Sequence, residues 1–312
     1  MTAETDRAGP PIFILGMLQR TGTNHLWDLF GLHPDTELLR PVFEDHLVPW
    51  SPHLLAYVAD VTRSWSSDWE VPPNEGVALR HALGDAIAGW VAGHAGQRVV
   101  TKMPTVEQAT NFFALMPNCP LIVLVRDGRN VSESMVGTFN MSYERVFRRW
   151  SRAADVVLEL ERAHGNKPHF ALVRYEDLVD NPAATMRRLC ETTGLDPDRY
   201  PYEQITSVPV RGSSTLRKSG SDSVHWNPVD RPAGFDPHSR WQVWTDHEHR
   251  RFNAVAGAQQ RALGYDCHHV GGRDTIVEHL AVARDRSYAI YYDAKVWAGR
   301  ARRSVKRVHG TI

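Results

Sequence analysis

Short apolar runs alternate along the chain with stretches of helical periodicity. Ile12-Phe13-Ile14-Leu15 is an unbroken apolar run, the pattern of a strand buried on both faces. The polar turn from Gly16 to Gly22 leads into a helical pattern at Leu26, Trp27, Leu29 and Phe30, which stops near Gly31-Leu32-His33-Pro34-Asp35. Helical patterns follow from Leu54 to Trp65 and from Val77 to Ala95. Arg98-Val99-Val100-Thr101 reads as a second strand with Lys102-Met103-Pro104 at its carboxyl end, and a helix is expected from about Val106 to Leu115. Leu121 to Val125 is the clearest strand of all, apolar without a break. A long helix is expected from Tyr143 to His164, then a fourth strand over His169 to Arg174 whose exit is Tyr175-Glu176-Asp177-Leu178. Asn181 as N-cap and Pro182 at the first helical position start a helix that closes near Gly194. Periodicity is lost from Tyr200 to Pro237, as in a functional loop or lid, and returns in a helix from Trp241 to Leu263. Strands alternating with helices predict an α/β fold: a P-loop-like three-layer arrangement with a central parallel sheet flanked by helices. Residues 1–270 form the α/β domain of this reading, and residues 271–312 a helical, basic C-terminal extension.

The first strand, loop and helix carry candidate chemistry. Unpaired N–H groups of a helix's first turn point at whatever the loop holds, and the macrodipole favours negative charge there. Arg20, Thr21, Thr23 and Asn24 are expected to add side-chain donors, so the ligand should carry phosphate or sulfate. A nucleotide-triphosphate loop would place Lys and Ser/Thr after its last glycine, for the β/γ-phosphates and magnesium. Thr23 and Asn24 stand there instead, which argues against ATP or GTP hydrolysis, and the positive charge precedes the glycine at Arg20. Ligands of an open parallel sheet sit beyond the carboxyl ends of its strands. Arg126, after the clearest strand, and Lys102 should therefore emerge on the rim that holds Arg20. In a helix starting after Gly128, Ser134 lies about two turns along and can face the side of Arg126. Arg126 and Ser134 together read as a second, separate anion clamp.

Composition narrows the class. With 36 basic and 36 acidic residues in 312, the net charge is zero, so there is no global basic field and no nucleic-acid partner is expected. Cys119, Cys190 and Cys267 have no metal-type spacing and read as reduced thiols of a cytoplasmic protein, and no metal site is expected. Met1 to Pro10 lacks an apolar core, and no run of 18 apolar residues marks a membrane span. From Lys295 onward the tail is basic, with Arg300, Arg302, Arg303, Lys306 and Arg307 beside Val296, Trp297 and Val305. Three readings of it stay open: a peripheral membrane contact, a polyanion contact, or a solvated tail that caps the domain or forms a homodimer.

The ordered set of motifs resembles the sulfotransferase family, whose donor is 3′-phosphoadenosine 5′-phosphosulfate (PAPS). Arg20-Thr21-Gly22-Thr23 is similar to its 5′-phosphosulfate loop, and Val125-Arg126-Asp127-Gly128-Arg129 through Ser134 to its 3′-phosphate motif. Arg174-Tyr175-Glu176-Asp177-Leu178 before Asn181-Pro182, and Trp241 through Gly264-Tyr265, resemble its tyrosine strand and closing segment. The wording of the second motif, and a glutamate after the first helix, bring the chain nearer to the tyrosylprotein and bacterial branch.

The resemblance implies in-line transfer of a sulfuryl group to a hydroxyl of a carbohydrate, lipid or small metabolite, without metal. It implies Arg20 and Lys102 as neutralising cations, with Glu44 as general base and His46 its rival. Asp45 is expected to be a solvated neighbour. Donor contacts are expected from Arg20, Thr21, Gly22, Thr23, Asn24, His25, Arg126, Ser134 and Tyr175, and from Arg217 and Lys218 in the late irregular segment. Two other classes remain beside it: a metal-dependent nucleotide kinase on the same strand-loop-helix plan, and a non-catalytic nucleotide-binding module.

Overall fold

The structure, a computed structural model, describes residues 9–40, 42–211, 229–230, 238–268 and 287. Five parallel strands form one sheet: β1 (Ile12–Gly16), β2 (Thr36–Leu38), β3 (Arg98–Met103), β4 (Leu121–Val125) and β5 (Phe170–Arg174). Their order is β2-β3-β1-β4-β5. The chain leaves β1 toward one edge for β2 and β3, then crosses back to the other side for β4 and β5. The carboxyl end of β1 is therefore the topological switch point, where an open α/β sheet leaves a crevice.

The alternation of side chains along each strand builds the layers. Ile12 and Ile14 of β1 join Ile122 and Leu124 of β4 in a core with α1 (Thr23–Phe30) and α8 (Pro182–Thr193). On the opposite face Phe13 meets Phe112 edge-on at 5.1 Å, in α4 (Phe112–Leu115). Two further helices, α5 (Gly128–Phe139) and α6 (Tyr143–His164), pack on each other. The buried residues of α6, among them Phe147, Trp150, Ala154 and Val157, recur at three- and four-residue spacing, which is why this helix is legible end to end. A hairpin of α2 (Ser51–Arg63) and α3 (Glu75–Ala92) leads from β2 to β3, and α7 (Tyr175–Asp180) follows β5 directly.

Several expectations change. β2 was not predicted: it is three residues long with Glu37 exposed, too short to show a period, and exists through its pairing with Arg98 to Val100. The helix expected over Val106 to Leu115 is only a 3-10 turn at Ala109–Asn111 followed by α4, because Gln108 takes a left-handed backbone that interrupts it. The irregular stretch after Tyr200 contains a 3-10 turn at Tyr202–Ser207 and an antiparallel bridge between Val210 and Val229. Arg217, Lys218 and the basic tail from Lys295 lie outside the described residues.

The chain divides into two compact units, Met1–Trp241 and Gln242–Ile312. In the second, α9 (Asp246–Ala262) opens on a capping box between Thr245 and Glu248, and Trp244 packs against Phe252 with ring centroids 5.6 Å apart. No helix among the described residues is long and apolar enough to cross a membrane.

Candidate active site

Strand pairing sets Gly16 beside Leu124 and Leu15 beside Met103, so the segments leaving β1, β3 and β4 start from one rim. The loop after β1 is held by its own polar groups. Met17 N donates to Leu124 O at 2.9 Å, and the buried Thr21 hydroxyl donates to Leu18 O at 2.5 Å. This corrects the expectation for Thr21: its hydroxyl fixes the loop and does not point at a ligand. Gly22 has φ 108°, and a Cβ there would lie 2.4 Å from the Tyr175 ring, so only glycine lets the loop rest on that ring. Helix α1 starts at Thr23, and the amides of Thr23 and Asn24 head its open N-terminal end. His25 is half-buried, its ring 6.3 Å from that of Tyr175.

Arg20 also takes a left-handed backbone, φ 75°, a conformation that costs a side-chain-bearing residue about 1–3 kcal/mol. Two contacts hold it there. Arg126 Nη1 donates to the Arg20 carbonyl at 3.0 Å, and Arg20 Nε donates to Ser134 Oγ at 2.9 Å. Arg240 Nη1 donates to the same Ser134 oxygen at 3.3 Å. The Arg126 guanidinium lies 4.3 Å from the centre of the Tyr175 ring. Tyr175 is the first residue of α7 rather than part of a strand, and its buried ring forms a floor under both Gly22 and Arg126.

The clamp of Arg126 and Ser134 is therefore not separate from the loop, as the sequence suggested. Ser134 is shared by Arg20 and Arg240, and Arg126 holds the Arg20 carbonyl beside them. Burial first, and then the nearby charges of Arg240 and Arg126, push Arg20 down to about 9. A guanidinium stays charged near neutral pH all the same, so the depression marks a buried cation crowded by like charges, a setting that favours an anion. Arg240 is the functional candidate that sequence reasoning missed. It ends an irregular stretch, and no spacing rule ties it to a helix 106 residues earlier. Its backbone N–H is fixed by Asn130 Oδ1 at 3.1 Å.

The remaining residues of the second motif are structural. Asp127 caps α5 by accepting from Arg129 N at 2.8 Å and pairs with the Arg129 guanidinium at 2.5 Å. Arg129 stacks on Trp241 at 4.1 Å. Trp150 Nε1 donates to the Arg126 carbonyl at 3.2 Å, fixing where that strand ends.

Lys102, the next-to-last residue of β3, is not a solvated lysine. Its side chain is 1 % exposed, its Nζ has no hydrogen-bond partner within reach, and it sits 3.8 Å from Glu44 Oε1. It also lies 3.8 Å from the centre of the Phe43 ring. Burial pushes its pKa down to about 8 despite the opposing pull of Glu44, Asp28 and Asp45. Glu44 is 37 % exposed, so this carboxylate reaches from the buried ammonium to the surface. Its other oxygen, Oε2, is 4.0 Å from His46 Nε2, which places the two candidate bases on one side of Lys102.

Asp45, expected to be solvated, is buried. Its carboxylate accepts from Thr101 Oγ1 at 2.6 Å and from Leu47 N at 2.9 Å, which ties the Glu44 segment to β3. Burial raises its pKa, against those two hydrogen bonds.

Three comparisons bear on this arrangement. A family model described as "Sulfotransferase family" matches residues 10–199. The chain is 24 % identical over 273 residues to protein-tyrosine sulfotransferase A of Caenorhabditis elegans, covering 84 % of this chain and 68 % of that one. It is 26 % identical over 278 residues to a protein-tyrosine sulfotransferase of Drosophila melanogaster, covering 82 % of this chain and about half, 52 %, of the fly protein. A solved sulfotransferase of Alicyclobacillus acidocaldarius superposes with a TM-score of 0.45 at 16 % identity, over 82 % of this chain and 96 % of that one. The matched stretch runs from two residues before β1 past the end of α8 and holds Arg20, Glu44, Lys102, Arg126, Ser134 and Tyr175. The chain belongs to the sulfotransferase family.

Proposed function

We propose that this protein transfers a sulfuryl group from PAPS to an acceptor hydroxyl. The observation that carries the reading is the convergence at the switch point of the sheet of Arg20 and Arg240 on Ser134, with Arg126 on the Arg20 carbonyl. A donor with two phosphate groups and a sulfate would set its anionic groups against those cations and the amides of α1. The acceptor oxygen forms its bond to sulfur as the bond from sulfur to the bridging oxygen breaks, and adenosine 3′,5′-bisphosphate leaves. In this reading Arg20 and Lys102 neutralise the charge that builds on the departing oxygens. Glu44, whose Oε1 lies 3.8 Å from the Lys102 ammonium, takes the acceptor's proton.

The acceptor placed first is a phenol, such as a tyrosyl side chain, ahead of carbohydrate, lipid and other small-metabolite hydroxyls. Two things support that order. The relatives reported above are protein-tyrosine sulfotransferases, and the Phe43 ring, 46 % exposed, offers a flat surface beside Glu44. The cytoplasm is the compartment of this reading, with Cys119 and Cys190 as buried thiols that burial pushes up to about 12.

The test is transfer of radiolabelled sulfate from PAPS to a tyrosine peptide, a free phenol, an oligosaccharide and a glycolipid. Phenolic acceptors should be labelled fastest, and Glu44→Gln should lose at least about 100-fold in turnover, the usual contribution of a general base. Near-normal turnover in Glu44→Gln with loss in His46→Ala would move the base to His46. Exclusive labelling of the sugar or lipid would overturn the acceptor.

A further inference from the structure

The α2–α3 hairpin holds a cavity of about 520 Å³ that plays no part in the site described above. That volume falls within the roughly 300–1,000 Å³ of small-molecule sites. Its walls are mainly apolar, from Leu55 and Val58 of α2, Trp65 and Val71 of the connection, and Val77 of α3, with Thr62 beside them. One cation, Arg80, completes the lining. The two helices bury little of themselves: only Ser51 and Val58 of α2, and Gly84 and Val91 of α3. Where they do touch, at Gly76, a Cβ would lie 2.9 Å from the Thr62 methyl group, so the hairpin is pinned at that point rather than splayed.

Arg80 is the anomaly. Its Nε is shielded from solvent and lacks a hydrogen-bond partner, and among the described residues no carboxylate pairs with the guanidinium. Arg80 is half-buried, and a shielded Nε–H left without an acceptor is costly unless a ligand completes it. Apolar walls disfavour a nucleotide, and a single cation disfavours a polyanion. We infer that the α2–α3 cavity binds a small amphiphile with an extended apolar body and one anionic head, the carboxylate held by Arg80. This inference does not depend on which group the enzyme transfers.

Dodecanoate is a suitable probe, titrated into the full-length protein below its micelle concentration and followed by calorimetry and by the emission of Trp65 in the cavity wall. Saturable one-to-one binding is expected, stronger than that of octanoate. Dodecanol should bind about tenfold more weakly or worse, since a hydrogen bond to a charged group contributes roughly 1.5–3 kcal/mol. Arg80→Met keeps the apolar stem and should bring dodecanoate and dodecanol to equal affinity, while Thr62→Trp should block both. Neither variant should change the affinity for adenosine 3′,5′-bisphosphate. Absence of saturable binding would overturn the inference. So would a preference for dodecanoate that survives in Arg80→Met, or displacement of dodecanoate by adenosine 3′,5′-bisphosphate.

Discussion

Ser134 and Lys102 show how much single side chains decide here. The hydroxyl of Ser134 receives Arg20 and Arg240 from segments more than 100 residues away on either side, so it sets where two cations stand. Arg240→Met should weaken binding of adenosine 3′,5′-bisphosphate about tenfold or more, the scale of a lost hydrogen bond to a charged group, with a smaller change in kcat. Titration of the variant by calorimetry checks this. Lys102 has its pKa pushed down to about 8, so its ammonium is present below that pH and lost as pH rises through it. The kcat/KM profile should fall on the alkaline side near pH 8, and Lys102→Arg, whose guanidinium does not titrate there, should move that limb upward. An unchanged limb would remove Lys102 from the reaction. Arg20, Arg126 and Ser134 were legible because glycine turns and strand ends mark them. Arg240 and the buried Asp45 were not, since their partners are fixed only by tertiary folding.

At the level of elements, the runs that are apolar without interruption were readable, and the ones that borrow stability from neighbours were not. β1, β4 and α6 announce themselves by burial pattern. β2 needs the edge of β3, and the 3-10 turn before α4 needs the left-handed Gln108. Helix α3 displays the same dependence from the other side: it is 18 residues long, yet it meets the body chiefly where Gly84 lies against Leu115. A Cβ at Gly84 would fall 1.8 Å from the Leu115 carbonyl oxygen, with backbone on both sides of the clash. Gly84→Ala should therefore lower unfolding stability by about 1–3 kcal/mol, the usual cost of overpacking, read from urea denaturation. The Glu44 segment depends on a neighbour too, through the bonds of Asp45 to Thr101 and Leu47. That tie explains how an irregular stretch can hold a candidate base beside a buried lysine.

On the scale of the molecule, the balance of charge is zero and the positive charge that matters is local. The strand order brings the exits of β1, β3 and β4 together, and of the cations they carry Lys102 and Arg126 are buried and Arg20 half-buried. Buried charges are screened far less than surface ones, so a neutral protein can still draw a small polyanion to one rim. The fold class followed from the alternation of strands and helices, whereas the merging of the two anion sites into one cluster required the packed structure. The central claim is that this cluster takes an adenosine bisphosphate through side chains and backbone alone. Calorimetric titration of the full-length protein with adenosine 3′,5′-bisphosphate in the presence of a metal chelator tests it most directly, with ATP and magnesium as the comparison. One-to-one binding without metal, tighter than that of ATP with magnesium, is the predicted result; no binding in chelator, or preference for ATP with magnesium, would contradict it.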